Sequence, residues 1–487
     1  MSDTPEAQKK ESPPADSGPS EAAVPAENSS TESASDDGGS SGGRGRGNQS
    51  AKAGDRPRRN KRRRRGRRRK GGEGGGNGGV GGRGVDGGGP SDTELMAGLP
   101  EDPDELMALS RPLGLLEVLG SGSGFVRRRD YGYAPSDDDI YVPPRVIQKF
   151  GLRIGDELMG VVATSVRAGK SLPLAHVALV NDRPPEEAAR RPEFGRLSAT
   201  HPDEQLILEC GRTWRGEPEF TNRVIDLFCP FGKGQRAMIV APAKAGKTMV
   251  MQAVAEGIVK NNPECHLMIL LVDERPEEVT EMEQCGFGEV IASTFDRPPE
   301  RHVQVTEMTL ERARRRVEQG EDVVIILDSI TRMARAYNSL KGGSGRTMSG
   351  GLDSNALEKP KRFLGSARKI AASQGGGSLT IIGTALVDTG SRMDQVIFEE
   401  FKGTGNSELV LSRDLADRRI YPAIDLVGSA TRKEELLLDD DQLWVSHAMR
   451  RQLAGMGPTE AMVDLLGAMK KTSTNRDLID WARNRST

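Results

Sequence analysis

The stretch Ala237-Met238-Ile239-Val240-Ala241-Pro242-Ala243-Lys244-Ala245-Gly246-Lys247-Thr248 decides the fold. Its first four residues are an apolar run of strand type, and the remainder is a small-residue loop ending in Gly-Lys-Thr. Beyond it, Val250, Met251, Val254, Ile258 and Val259 recur at helical spacing. Strand, loop and helix in that order is the context of a P-loop. The pattern G-x-x-x-x-G-K-[ST] is met except at its first position, where Ala241 replaces Gly. In such a loop the backbone N–H groups and the helix N-terminus surround phosphates. Lys247 then places a cation on the β- and γ-phosphates, and Thr248 offers its hydroxyl to a metal ion. ATP and Mg2+ are the ligands implied.

Working outward, residues 323–328 form an apolar strand that ends in Asp328, the Walker-B arrangement that sets a carboxylate beside the Mg2+ shell. Standing alone it would read equally as a buried strand with an acid at its end. A second apolar run, 266–272, leads into Asp273-Glu274-Arg275-Pro276. Glu274 is the candidate general base that orients and activates water. The alternative is a solvated charge at a helix start. Further strands are expected at 290–294 and 379–386, with helices at 277–284, 299–319, 330–337 and 355–372. Alternating buried strands and helices mean a parallel sheet covered on both faces. Ligand then sits at the carboxyl ends of the strands, where Lys247, Glu274 and Asp328 all fall.

Before this core, residues 115–119, 125–127, 139–142, 155–162 and 175–180 read as short strands separated by Gly and Pro turns. Five such strands in about 70 residues suggest a small barrel of the OB or cold-shock kind. Phe125 and Tyr141, with Arg127, Arg128 and Arg129 nearby, are either stacking platforms for bases or barrel core; spacing leaves both open. Two Gly-rich loops, 341–351 and 387–393, carry Arg346 and Arg392. They can track a phosphate backbone or serve as plain connectors.

The chain has 487 residues and a formal net charge of −2. That average conceals a polarised N-terminus. Residues 1–43 hold nine Asp/Glu against Lys9 and Lys10, whereas 44–70 hold 15 Lys/Arg against Asp55 alone. No aromatic residue precedes Phe125, and 21 of the 59 glycines lie in 38–89. Such a segment buries too little apolar surface to offset its ordering entropy and is expected to be an unstructured tail. Its polycationic block suits salt-sensitive, sequence-blind RNA contact; solubility and nuclear targeting are the other readings. No apolar run reaches spanning length and no signal-peptide core is present, so no membrane contact is expected. The four scattered cysteines form no C-x-x-C pair, which fits a reduced, cytoplasmic chain.

Several runs together resemble the bacterial transcription termination factor Rho family. They are the P-loop from Val240 to Thr248, Asp273-Glu274-Arg275-Pro276-Glu277-Glu278, Asp328-Ser329-Ile330-Thr331-Arg332, Phe401-Lys402-Gly403-Thr404-Gly405-Asn406 and Thr431-Arg432-Lys433-Glu434-Glu435. The likeness covers about 115–470, and an Ala-Pro start to the P-loop belongs to it. It implies a homohexameric ring of RecA-like ATPase domains that acts as an RNA-stimulated ATP hydrolase and RNA–DNA helicase. Nascent single-stranded RNA, RNA polymerase and elongation factors are the implied partners, and release of transcripts is the outcome. By this resemblance Lys244, Ala245, Gly246, Lys247, Thr248, Met249 and Asp328 hold Mg-ATP, and Tyr421 stacks on adenine. Glu274, Arg275 and Lys247 serve catalysis, with Arg432 as an arginine finger in trans and Arg419 in support. Phe125, Arg127, Asp139 and Tyr141 meet RNA first, and Arg346 and Arg392 grip it in the central pore. Two departures stand out. Ser123 occupies a place that is usually aromatic, and no helical bundle precedes the barrel beyond a remnant at about 93–109. The Arg/Gly tail is expected to compensate.

The expected organisation is therefore a tail (1–110), an OB/cold-shock-like domain (111–183), a linker (184–222), a RecA-like domain (223–440) and a helical segment (441–487). Two other classes share parts of this pattern: a rotary or replicative ring ATPase, and a non-catalytic RNA-binding or condensate-forming protein. Gly-rich loops and the barrel speak against the first; Lys247, Glu274 and Asp328 speak against the second.

Overall fold

The computed structural model describes residues 95–96, 98–163, 171–341 and 349–486. The charged tail and Arg346 lie outside the described residues. After a short helix α1 (Pro103–Leu109), five antiparallel strands form a barrel: β1 (Arg111–Val118), β2 (Gly124–Arg127), β3 (Ile140–Val142), β4 (Glu157–Val162) and β5 (Leu174–Val180), with helix α2 (Pro144–Phe150) between β3 and β4. Their order is β3-β2-β1-β4-β5. A Tyr141–Pro173 bridge joins β3 to the lead into β5 and closes the barrel. Leu116, Val126, Ile140, Val142, Leu158, Leu174, Val177 and Val180 fill its interior. Strand alternation sets the intervening residues outside.

Residues 184–222 run on through α3 (Pro185–Arg190), β6 (Ala199–Thr200), a β7–β8 hairpin (Thr213–Trp214 and Glu217–Pro218) and the start of α4 (Thr221–Phe228). Ala188 of α3 packs into the barrel core.

The larger body is a wound sheet. Its elements are β9 (Arg236–Pro242), α5 (Lys247–Asn261), β10 (His266–Glu274), α6 (Pro276–Cys285), β11 (Glu289–Thr294), α7 (Pro299–Val317), β12 (Asp322–Asp328) and α8 (Ile330–Leu340). There follow α9 (Glu358–Leu364), β13 (Arg368–Ile370), β14 (Ser378–Val387), α10 (Arg392–Lys402), β15 (Ser407–Val410), α11 (Arg413–Asp417) and β16 (Ala430–Thr431). Strand order is β11-β10-β12-β14-β9-β15-β16, parallel until the antiparallel β16. Along β9, Ala237, Ile239 and Ala241 enter one core while Met238 and Val240 enter the other; β10 divides its side chains in the same way. That two-sided burial explains why these strands read as unbroken apolar runs. Three helices, α12 (Asp440–Leu453), α13 (Pro458–Met469) and α14 (Asn475–Ser486), follow.

One expectation needs correction. Residues 355–372 are not a single helix. Helix α9 ends at Leu364, and β13 pairs antiparallel with β14. Gly375, Gly376 and Gly377, all at positive φ, make the reversal that brings these strands together. The apolar spacing of Phe363, Leu364, Ala367 and Ile370 imitates a helix, but strand pairing takes the second half.

The barrel is seated on α7. Gly155 approaches so closely that a Cβ there would stand 2.5 Å from the Arg312 backbone nitrogen. Around this contact Arg312 pairs with Glu157 (2.9 Å) and Glu289 (2.5 Å), and Arg316 pairs with Glu157 and Asp182 (both 3.1 Å). Arg191 bridges Asp156 (2.7 Å) and Glu318 (3.0 Å).

Candidate active site and RNA-contact surface

Parallel register brings four strand ends to one edge. Asp328 lies opposite Leu271, Leu327 opposite Gly383, and Pro242 opposite Val387. The loop after β9 turns sharply, with Lys244 at φ 65° and Gly246 at φ 89°, and α5 starts at Lys247. The backbone N–H of Ala245 donates to the Pro242 carbonyl (3.3 Å). Thr248 and Met249 follow, half-buried, in the first turn. A Cβ on Gly246 would meet the Tyr421 ring at 3.5 Å, so that ring lies against the loop.

Lys247 Nζ stands 2.7 Å from Glu274 Oε1 and 2.5 Å from Asp328 Oδ2. Burial opposes the ammonium, but the carboxylates of Asp328 and Glu274 outweigh it and hold Lys247 above the usual lysine value. Burial pushes the Asp328 carboxyl up, against the pull of Lys247. Thr384, on β14, donates its hydroxyl to Asp328 Oδ1 at 2.7 Å. Arg332 Nη2 lies 2.9 Å from Glu274 Oε2, and its Nη1 donates to the Asp273 carbonyl. Sequence reasoning missed Thr384 and Arg332. Arg332 sits in the first turn of α8, four residues after the strand-end Asp328, a nearness that could have marked it; Thr384, inside an apolar strand, carries no such signal.

Other candidates lie apart from this cluster. Arg275 is exposed at the start of α6, 3.5 Å from Glu278. Arg419 and Arg432 are exposed and form no ion pair among the described residues. Among the described residues neither forms a hydrogen bond or ion pair with Lys247, Glu274 or Asp328.

On the barrel, Phe125 and Tyr141 are a cross-strand pair. Their rings stand 5.8 Å apart, edge to face, and both are half-buried outside the barrel core. The arginine of this group is not free: Arg127 is buried against Asp139 and Glu117, with Glu117 at 2.6 Å, and it stands 5.3 Å from the Phe125 ring centroid. Asp139 also accepts from the Ser136 N–H at 2.8 Å. Ser123 precedes β2, its hydroxyl 2.9 Å from that of Ser121. Leu172, not singled out in the sequence, is exposed, and its carbonyl accepts from the Tyr141 N–H.

Arg392 is exposed at the first turn of α10. Just beyond it, Asp394 is buried and held by Arg335 of α8 through two bonds of 2.8 and 2.6 Å, with the Thr389 hydroxyl at 2.6 Å. This fork ties the base of the Arg392 loop to the helix that leads into residues 342–348.

No helix among the described residues is long and apolar enough to cross a membrane. Residues 113–186 match the family model of the Rho termination factor RNA-binding domain, and 221–431 match that of the ATP synthase alpha/beta family nucleotide-binding domain. The chain is 49% identical over 370 residues to a transcription termination factor Rho of Cereibacter sphaeroides, covering 75% of this chain and 86% of that one. It is 50% identical over 367 residues to its namesake in Pseudomonas aeruginosa, again covering 86% of the relative. With a Gemmatimonas aurantiaca protein of the same name it shares 56% identity over 357 residues, about half (48%) of that longer chain. A nucleotide-binding ATPase domain and an RNA-binding domain thus stand in one chain, and that chain belongs to the transcription termination factor Rho family.

Proposed function

We propose that the protein is an RNA-stimulated ATPase that works as a ring of six copies, moves along nascent RNA and releases transcripts from RNA polymerase in the cytoplasm. The observation that carries this is the triad at the strand ends: one ammonium shared by two buried carboxylates, Glu274 and Asp328, at the start of the P-loop helix. ATP phosphates would take Lys247 from these acids. The donor set fits a hard divalent cation, with Thr248 and Asp328 offering oxygens. Mg2+ there would supply neutralising charge on phosphate oxygens. Glu274, steadied by Arg332, is positioned to take a proton from the attacking water. Tyr421 would face adenine, and Arg275 would flank the site. Arg432 and Arg419, exposed and without an ion pair among the described residues, would reach the site of a neighbouring copy, where an arginine finger is worth ~10³–10⁵ in rate.

RNA would first stack on Phe125 and Tyr141, helped electrostatically by the Arg/Gly tail, then pass to the loops of Arg346 and Arg392. Arg127 and Asp139 would shape that first site by fixing each other and the Phe125 face. The boundaries given above for the five segments belong to the same proposal. The test is ATP turnover with and without a C-rich RNA, using wild-type rings mixed with Lys247→Ala or Arg432→Ala subunits. Turnover should require RNA and fall steeply with either variant. Turnover indifferent to RNA would favour a rotary-type ring ATPase instead.

A further inference from the structure

We infer that Arg236 is a positioning residue for Arg432, holding that guanidinium outward for the triphosphate of a neighbouring copy; this rests on the trans role proposed above for Arg432. The two residues are mounted on one asparagine. Ser407 of β15 pairs with Ala237 of β9 on one side and with Thr431 of β16 on the other. One step along, Arg236, Asn406 and Arg432 therefore form a row across three adjacent chain segments. The Arg236 N–H donates to Asn406 Oδ1 (2.8 Å), and the Arg432 N–H donates to the Asn406 carbonyl (2.9 Å). Neighbouring strands are ~4.8 Å apart, so the outer members of the row stand about 10 Å apart at the backbone. Residues opposite one another in a row project to the same face.

The two side chains are held very differently. Arg236 is half-buried, and its guanidinium donates to the carbonyls of Thr404 (Nε, 3.0 Å) and Ala367 (Nη1, 3.3 Å). Carbonyl dipoles fix it without neutralising it. Arg368, the next guanidinium along, is held likewise by the carbonyls of Ser366 (3.1 Å) and Gly365 (3.4 Å). Among the described residues no carboxylate pairs with Arg236, Arg368 or Arg432. Burial, and then the charge of Arg432, depress the Arg236 pKa, which places the two cations within each other's field. Arg432 has a pinned backbone and an exposed side chain. It is repelled from lying back on the sheet edge, where Arg236 already fixes positive charge. A polyanion arriving from outside the copy relieves that repulsion, and a nucleotide triphosphate at the subunit boundary is one.

The experiment uses the full chain with saturating RNA and compares Arg236→Gln, Arg236→Lys, Arg432→Ala and the double variant Arg236→Gln/Arg432→Ala. Arg236→Gln should lower kcat ~10–30-fold with KM for ATP within twofold, and Arg236→Lys should recover most of the loss. The double variant should be no slower than Arg432→Ala alone, because a residue acting only through Arg432 has nothing left to position. Asn406→Asp leaves both arginines in place, keeps an acceptor for the Arg236 N–H and adds a carboxylate between them; it should slow turnover at least tenfold by drawing Arg432 back. Wild-type kcat in Asn406→Asp or Arg236→Gln would overturn the inference. So would losses that multiply in the double variant, or Arg236→Lys as slow as Arg236→Gln. If Arg236→Gln does not assemble, Asn406→Asp and Arg236→Lys decide. An Arg432→Ala protein with wild-type turnover would instead remove the trans role itself.

Discussion

Arg332 holds the oxygen of Glu274 that Lys247 leaves free: Nη2 stands 2.9 Å from Oε2, while the lysine ammonium takes Oε1 at 2.7 Å. The carboxylate thus has a cation on each side. Glu274→Gln should lower kcat by ~10²–10⁴ and leave nucleotide binding nearly intact. Arg332→Ala should cost about tenfold through a misplaced Glu274, read in the same steady-state assay. Lys247→Ala should abolish turnover while RNA binding at the barrel persists.

Lys247→Ala also carries a pH signature. Burial already pushes Asp328 up, and loss of the ammonium strengthens that push. An acid whose folded-state pKa lies above its unfolded value stabilises the fold below the unfolded value, and that stability is lost as pH rises through the folded one. The variant should therefore lose more thermal stability than wild type as pH rises above the ordinary carboxylate range, as scanning calorimetry would show.

Phe125→Ala and Tyr141→Ala should each weaken RNA binding by ~1–3 kcal/mol, the worth of one base–aromatic stack. Because neither ring belongs to the barrel core, the melting temperature should move little. Deleting residues 1–90 should weaken binding and flatten its salt dependence, and Ser123→Phe should restore part of the loss. Equilibrium titrations at two salt concentrations check all four variants.

Arg335→Ala should strip Asp394 of its fork and leave a buried carboxylate with the Thr389 hydroxyl as its one remaining partner among the described residues. A cost of about 1–3 kcal/mol is expected, since Arg335 itself is half-exposed. The RNA concentration needed for half-maximal ATPase should rise, because the first turn of the Arg392 helix loses its anchor.

Asp226 offers a test remote from both sites. It is buried in α4 and accepts from the N–H groups of Leu208 and Glu209, yet burial raises its pKa to about 8. Its contribution to stability is complete below about pH 4 and is lost as pH rises toward 8. Asp226→Asn keeps an acceptor oxygen and should remove that part of the pH dependence, as denaturant midpoints at pH 5 and pH 8 would reveal.

The doubly buried strands were legible because unbroken apolar runs ending in Asp328 or Glu274 have few other uses. The barrel was legible from its turns. Alternation could not tell whether Phe125 and Tyr141 faced in or out until the core was seen to fill with Val126, Ile140 and Val142. What stayed hidden depended on partners far along the chain. Thr384 reaches Asp328 across 56 positions, and the half of the 355–372 segment that becomes β13 does so only because three glycines fold it back onto β14. Local periodicity records neither.

The close seat of Gly155 on Arg312 has a mechanical consequence. With no room for even a methyl group between the barrel and α7, the two elements meet backbone to backbone, and any side chain larger than hydrogen at position 155 has to wedge them apart. On the function proposed above, RNA captured by the barrel would then be coupled to the ATPase sheet through a rigid seat rather than a flexible linker.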